Sequence, residues 1–296
     1  MKSRTLIAVL VFLLAVAIVG GFALLREPPA PAIPPEATAP VRPSAPARPY
    51  ADSPDAPAID SALAFLLRHE EQERPSWQVY ALLDYLQRRF GLEERYRIGN
   101  SFPRAMWPEY DLEMAALFGR LADNAFHVDK ALFPKDAFDL NRFLARALYC
   151  DQHPVDAAFI QQLLDLYEAD GARPTPGYIA THVILASQWL RELACNTAFP
   201  ELEAAWSGFA ELLETIINRE NAETDLAFEA IMLLYYIGEG NRVWDAWVDT
   251  VRALQRPTGA WGYRPEDPDH GHPTVLALWV LLEQALPGAE KEAWVR

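Results

Sequence analysis

Basic residues are scarce in this 296-residue sequence: 26 Lys and Arg stand against 41 Asp and Glu, for a formal net charge of −15. Lys2, Arg4 and Arg26 fall in the first 26 positions, which hold no acid, so the remainder carries 23 basic against 41 acidic residues, a net of −18. Such a body is repelled by nucleic acid and by anionic lipid headgroups. No basic patch with interleaved aromatics is present, and nucleic-acid binding is excluded. Alternation of apolar and polar residues with period 2 is also missing, which argues against a sheet. So are a Gly-rich phosphate loop and a Gly-x-Ser-x-Gly nucleophile elbow. The sequence names no cofactor. Cysteine is nearly absent, with only Cys150 and Cys195.

One long apolar run is present. Thr5 to Leu25 carries no charge and lies just after Lys2 and Arg4. At about 1.5 Å per residue it covers roughly 30 Å as a helix, the thickness of a bilayer core. The flanking cations place the N-terminus in the cytoplasm. Residues 1–26 are therefore expected to be a single-pass anchor in the inner (cytoplasmic) membrane. A cleaved signal peptide ending near Gly21-Phe22-Ala23 is the competing reading, and the run is longer than the roughly 7–15 residues of a signal core. Both readings export the rest of the chain to the periplasmic or extracellular side. Residues 27–57 hold prolines from Pro28 to Pro57 at close intervals. Proline removes amide donors, so this segment is expected to be a semi-rigid spacer.

From residue 58 to 296, apolar residues recur at i, i+3, i+4 and i+7, and the reading is all-α. Ten helices are expected, over 58–72, 76–90, 109–126, 136–150, 155–169, 176–195, 200–219, 223–238, 241–255 and 272–287. Residues 91–108 form the one long irregular connection. The second helix of each later pair opens in a similar style, at Asp139, His182, Asp225 and His272, in steps of 43, 43 and 47 residues. That step fits one helical hairpin. Two architectures accommodate a hairpin repeat: an open solenoid, and an α/α toroid whose alternate helices form an inner ring. Tyr178–Cys195 and Leu226–Ile237 are apolar on most faces, which calls for burial all round. That favours an incomplete toroid of five hairpins.

Gln255, Gly259 and Trp261 fit Gln-x-x-x-Gly-x-Trp. This seven-residue turn resembles that of terpenoid cyclases and their α/α-toroid relatives, including protein prenyltransferases and some glycan-active enzymes. The resemblance implies a toroid in which the Gln caps a helix and the Trp packs. It carries over neither chemistry. The Asp-x-Asp-Asp acid of alkene-protonating cyclases is absent, and Asp225 is followed by Leu226-Ala227 where the prenyltransferase zinc set would need a Cys.

If the second helices are parallel, their N-termini gather at one mouth. His182, Asp225, Glu229 and His272 are then the candidate catalytic residues, able to divide acid and base roles. Asp225 and Glu229, at i and i+4, share one helix face. Tyr178, Thr181, Trp261, Tyr263 and Thr274 are candidate ligand contacts. The structural alternative makes Thr181, Asp225 and Thr274 helix caps and His182 a satisfied buried imidazole. The loop Glu266–His272 concentrates acids with His270 and His272, a candidate divalent metal pair, or else a solvated acidic loop. It lacks calcium-loop spacing, and no His-x-x-x-His helix accompanies it. Cys150 and Cys195 end successive second helices, and export permits a disulfide between them. Free buried thiols are the alternative. Trp189, Trp206, Trp244, Trp247 and Trp279 are read as packing, and Arg191, Glu192 and the run Glu70–Arg74 as solvated faces.

Two functions remain. The first is an enzyme or small-ligand binder working in the cup on a glycan or isoprenoid-like molecule at the membrane. The second is a non-catalytic scaffold on a stalk, holding an envelope protein partner.

Overall fold

Local capping chemistry sets where the helices begin. Asp139 accepts the Arg142 amide at 3.0 Å, and Asp156 that of Phe159 at 2.9 Å. Thr224 accepts the Ala227 amide at 3.3 Å, and a ring nitrogen of His270 accepts that of His272 at 3.2 Å. Each acceptor satisfies one orphan donor of a first turn. The computed structural model describes residues 48–72, 76–92, 109–123, 125–133, 139–173 and 177–295. The expected membrane helix, the spacer as far as residue 47 and the connection over 93–108 lie outside these residues.

Eleven α-helices and no strand are found among the described residues. They are α1 (Ala56–Gln72), α2 (Trp77–Phe90), α3 (Glu109–Phe118), α4 (Leu140–Leu148), α5 (Ala157–Gly171), α6 (Tyr178–Glu192), α7 (Pro200–Ala204), α8 (Trp206–Arg219), α9 (Asp225–Tyr236), α10 (Asp245–Ala253) and α11 (Gly271–Ala285). Two expected helices differ. The one over 200–219 is broken at Ala205 into α7 and α8. The one over 109–126 ends at Phe118, and a 3₁₀ turn takes Gly119–Leu121. Phe126 folds back onto Gly119 so closely that a Cβ there would meet its ring at 2.8 Å. The expected spacer also ends earlier than residue 57. Tyr50 is buried and its hydroxyl donates to Asp60 at 3.0 Å, while the buried Asp55 accepts from Arg252 at 2.6 Å.

Contacts between helices run in a circuit: α2 touches α3, α3 touches α4, then α4–α6, α6–α9, α9–α11, and α11 returns to α2. The partners of these helices pack against them, α5 on α6, α8 on α9 and α10 on α11, while α1 also lies against α11. In α9 every residue except Tyr235 is buried, as burial on all sides requires. Cys150 and Cys195 are bonded to each other, with Cα atoms 6.3 Å apart, and link the end of α4 to the turn after α6.

The turn before α11 holds this arrangement to α1. Gln255 Nε2 donates to the Ala58 carbonyl at 2.8 Å and to the Gly259 carbonyl at 3.1 Å. Gly259 has φ +92°, and a Cβ there would collide with the Ser61 backbone, so only glycine fits. Trp261 is fully buried and its indole N–H donates to the Val251 carbonyl at 2.7 Å. All three motif residues are therefore occupied in packing. No helix among the described residues is long and apolar enough to cross a membrane.

Candidate functional site

Three helix N-termini meet at one carboxylate. Asp225, the first residue of α9, accepts the hydroxyl of Tyr178, the first residue of α6, at 2.7 Å. Its other oxygen faces Nδ1 of His272, in the first turn of α11, at 2.9 Å. Thr224 serves as the N-cap of α9, which leaves the Asp225 side chain to this network. The Asp225 amide is held by the Tyr263 carbonyl at 2.9 Å. Asp225 is 1 % exposed, and a buried carboxylate is tolerated because both oxygens are paired and it sits at the positive end of a helix.

The partners fix the tautomers. A carboxylate oxygen accepts, so Nδ1 of His272 carries the proton and Nε2 bears the lone pair when the ring is neutral. His182 is arranged alike: its Nδ1 lies 2.7 Å from the Tyr178 carbonyl and 3.3 Å from Glu229 Oε1, both acceptors. Burial pushes the His272 pKa down, but the charge of Asp225, its hydrogen bond and the charge of Glu229 outweigh that, and the net shift is upward. Burial, with the neighbouring carboxylates, raises the Tyr178 hydroxyl far above its usual value, and burial and Asp225 raise that of Tyr263.

Glu229 differs from Asp225. It is 5 % exposed, yet Oε2 has no hydrogen-bond partner. A buried unpaired polar atom costs about 1–3 kcal/mol, so this is a place where the fold gives up stability. Glu229 lines a cavity of about 110 Å³ together with His182 and His272. Five helices of the circuit contribute residues from their first halves to that cavity: Trp77 and Gln78 from α2, Asn141 from α4, His182 from α6, Glu229 from α9 and His272 from α11. Farther in the wall is apolar, with Leu82, Phe118, Met232, Leu276 and Trp189, and Trp294 joins them from the tail after α11.

The expected cup residues divide into two groups. His182, Asp225, Glu229 and His272 are brought together, with Tyr178 and Tyr263 half-exposed beside them. Thr181, Thr274 and Trp261 do not line the cavity. Both threonines are fully buried with their hydroxyls on backbone, Thr181 on the Tyr178 carbonyl and Thr274 on the His270 carbonyl, and Trp261 packs against the Val251 turn. Nor do Thr181 and Asp225 cap helices. Of the expected metal pair, His270 turns its Nδ1 back to the His272 amide, and His272 holds its Nδ1 on Asp225. Among the described residues no group of three or more His, Cys, Asp or Glu is placed to hold a metal ion.

Two further readings change. Trp244 is not core but 60 % exposed, stacked at 5.0 Å on Trp247. Glu192 is not a solvated residue: it accepts the Val295 amide at 3.0 Å, and burial raises its pKa. Gln78, Asn141 and Trp294 line the cavity without being singled out by the sequence. Asn141 carries a signal, since it lies two residues after Asp139 at the start of a second helix. Comparison with known proteins adds no relative: no family model matches the chain, and no curated protein or solved structure does.

Proposed function

We propose that this chain is an α/α-toroid protein that binds a small amphiphile of isoprenoid-like character, with acid–base groups at the ligand's polar end. The toroid is supported by the circuit of helix contacts and by α6, α9 and α11 meeting through their N-terminal residues. The observation that carries the ligand class is the distribution of polarity in the cavity. Its mouth holds His182, Glu229 and His272, and its inner wall is apolar. A glycan would need hydrogen-bonding partners along its whole length; this wall offers them only at the entrance. An engineered cavity of roughly 150 Å³ holds benzene, so about 110 Å³ accommodates a buried part no larger than one isoprenyl unit.

Asp225 holds His272 in the tautomer that leaves Nε2 as a proton acceptor, and its charge stabilises the protonated ring. The free oxygen of Glu229 is an acceptor for a head-group hydroxyl or amine. Proton transfer at that head group is the reaction the residues support. The scaffold reading has less support, because two of the four large exposed apolar residues among the described ones, Tyr178 and Tyr263, stand at this mouth. In the cell the toroid would stand outside the cytoplasmic membrane on the N-terminal anchor and spacer.

The test is calorimetric titration of the purified full chain in lipid nanodiscs with 3-methylbut-2-en-1-ol and, in parallel, with chitobiose. Saturable binding of the alcohol, with a negative heat-capacity change from apolar burial, supports the reading. Binding of the sugar alone, or of neither, refutes it.

A further inference from the structure

A second cavity, of about 370 Å³, lies at the other ends of the same helices. Along α2 the order runs from Gln78 and Leu82 in the first cavity to Arg89 in the second. Along α9 it runs from Glu229 and Met232 to Tyr236, with Gly238 just past the helix end. The two spaces therefore succeed one another down a common axis.

What separates them is the non-helical tail after α11. Lys291, Glu292 and Ala293 line the second cavity, and the next residue, Trp294, lines the first. Its indole stacks on Tyr85 at 5.1 Å and meets Trp279 at 5.8 Å and Tyr236 at 5.9 Å, while its N–H donates to the Leu121 carbonyl at 3.2 Å. The tail is held to the helices along its length: the Tyr85 hydroxyl donates to the Glu292 carbonyl at 3.0 Å, Arg88 pairs with the Glu292 carboxylate at 3.3 Å and donates to the Trp294 carbonyl at 3.4 Å, and the Val295 amide donates to Glu192 at 3.0 Å. All other residues lining the first cavity sit on helices or a 3₁₀ turn.

We infer that the two cavities are compartments of one lumen, and that Trp294 is the specificity-determining residue that sets how long an apolar ligand the cup admits. The inference rests on the amphiphile-binding reading of the cup. A ligand entering past Glu229 and His272 with its apolar end inward meets the Trp294 ring as a floor. Beyond that floor the lining turns polar, with Arg89, Gln188, Glu192 and the Tyr236 hydroxyl, and Arg89 Nε and Gln188 Oε1 are buried there without hydrogen-bond partners.

The experiment titrates a homologous series of 1-alkanols, butanol to decanol, into the full chain in nanodiscs, with empty nanodiscs as the blank. Wild type, Trp294→Ala and Trp294→Phe are compared, and retention of the fold is checked by thermal melting. Each buried methylene is worth about fourfold in affinity. Wild-type affinity is expected to climb by that step and stop near six carbons. In Trp294→Ala the climb continues at least two carbons further, so that octanol binds roughly fifteenfold tighter than to wild type. Trp294→Phe shifts the stop by about one carbon and decides the matter if the alanine variant does not fold. An unchanged stop in a folded variant, or a wild-type series with no stop, overturns the role of Trp294 while leaving the cup's reading intact. Absence of binding by every alkanol to every variant overturns both.

Discussion

Replacing Glu229 with methionine removes a carboxylate from an apolar setting and keeps the length of the side chain. At alkaline pH, where His272 is neutral and its attraction to the Glu229 charge is gone, two contributions oppose each other. The variant loses the contact between Glu229 Oε1 and His182 Nδ1 at 3.3 Å. That contact is long, His182 is 37 % exposed, and its Nδ1 keeps the Tyr178 carbonyl at 2.7 Å, so the loss is within about 0.5 kcal/mol. Against it, the unpartnered Oε2 disappears, which relieves about 1–3 kcal/mol. Glu229→Met is therefore expected to be more stable than wild type by about 1–2 kcal/mol, which at 2–4 °C per kcal/mol for a fold of this size raises Tm by roughly 2–8 °C. The same variant is expected to lose binding of the alcohol head group, the trade between stability and function common at working sites. Scanning calorimetry and urea unfolding on the full chain measure the first effect, and titration with 3-methylbut-2-en-1-ol the second. A Tm lower than wild type by more than about 3 °C would show that Glu229 is a structural partner of His182, and the reasoning fails.

The same geometry sets three other expectations. Asp225→Asn, with its oxygen kept on Tyr178, turns an amide N–H₂ toward His272 and forces the ring proton onto Nε2, so the proton acceptor is lost. Because Asp225 contributes to the raised His272 pKa, its stabilisation is full below the unfolded histidine value of about 6.5 and fades as pH rises through the higher folded value. The gap in urea midpoint between wild type and Asp225→Asn should thus be wider at pH 5.5 than at pH 8.5, and the opposite trend would sink the assignment. Replacing both cysteines by serine opens a link across 45 residues, a loss of about 4 kcal/mol by loop-closure entropy, read as a fall in the urea midpoint; a loss under about 1 kcal/mol contradicts it. Gly259→Ala forces a side chain into φ +92° against the Ser61 backbone and should cost about 3 kcal/mol or more, seen as a fall in Tm.

The helix periodicity and the steps of 43, 43 and 47 residues are enough to bring His182, Asp225 and His272 to one place, because parallel helices of equal repeat put equal offsets at equal height. The same comparison does not separate residues one position apart. Asp225 and Thr224 are both cap formers, and only the backbone shows that Thr224 takes the cap and frees Asp225 for the site. Thr274 and Thr181 look like ligand contacts in sequence, but their hydroxyls are consumed by carbonyls of the preceding turn. The tail is illegible for a different reason. Ala293-Trp294-Val295 has no period to read, and its partners, Tyr85, Glu192 and Leu121, lie from 103 to 207 residues away in bonded pairs. Glu192 is misread with it, since it follows Arg191 in sequence and the backbone that it binds comes from that tail.

The joining of α1 to the turn before α11 governs how the molecule comes apart. Asp55–Arg252 and Ala58–Gln255 each pair residues 197 positions apart. Closing a span of that length costs about 1.3 kcal/mol more entropy than closing one 43-residue repeat. Yet without it the elements on either side of the seam, α1 and α2 on one hand and α11 on the other, would each show a bare flank. Assembly is consequently slow and its reversal abrupt: high contact order retards the final step, and a single melting transition, with no hairpin surviving alone, is what such a seam dictates.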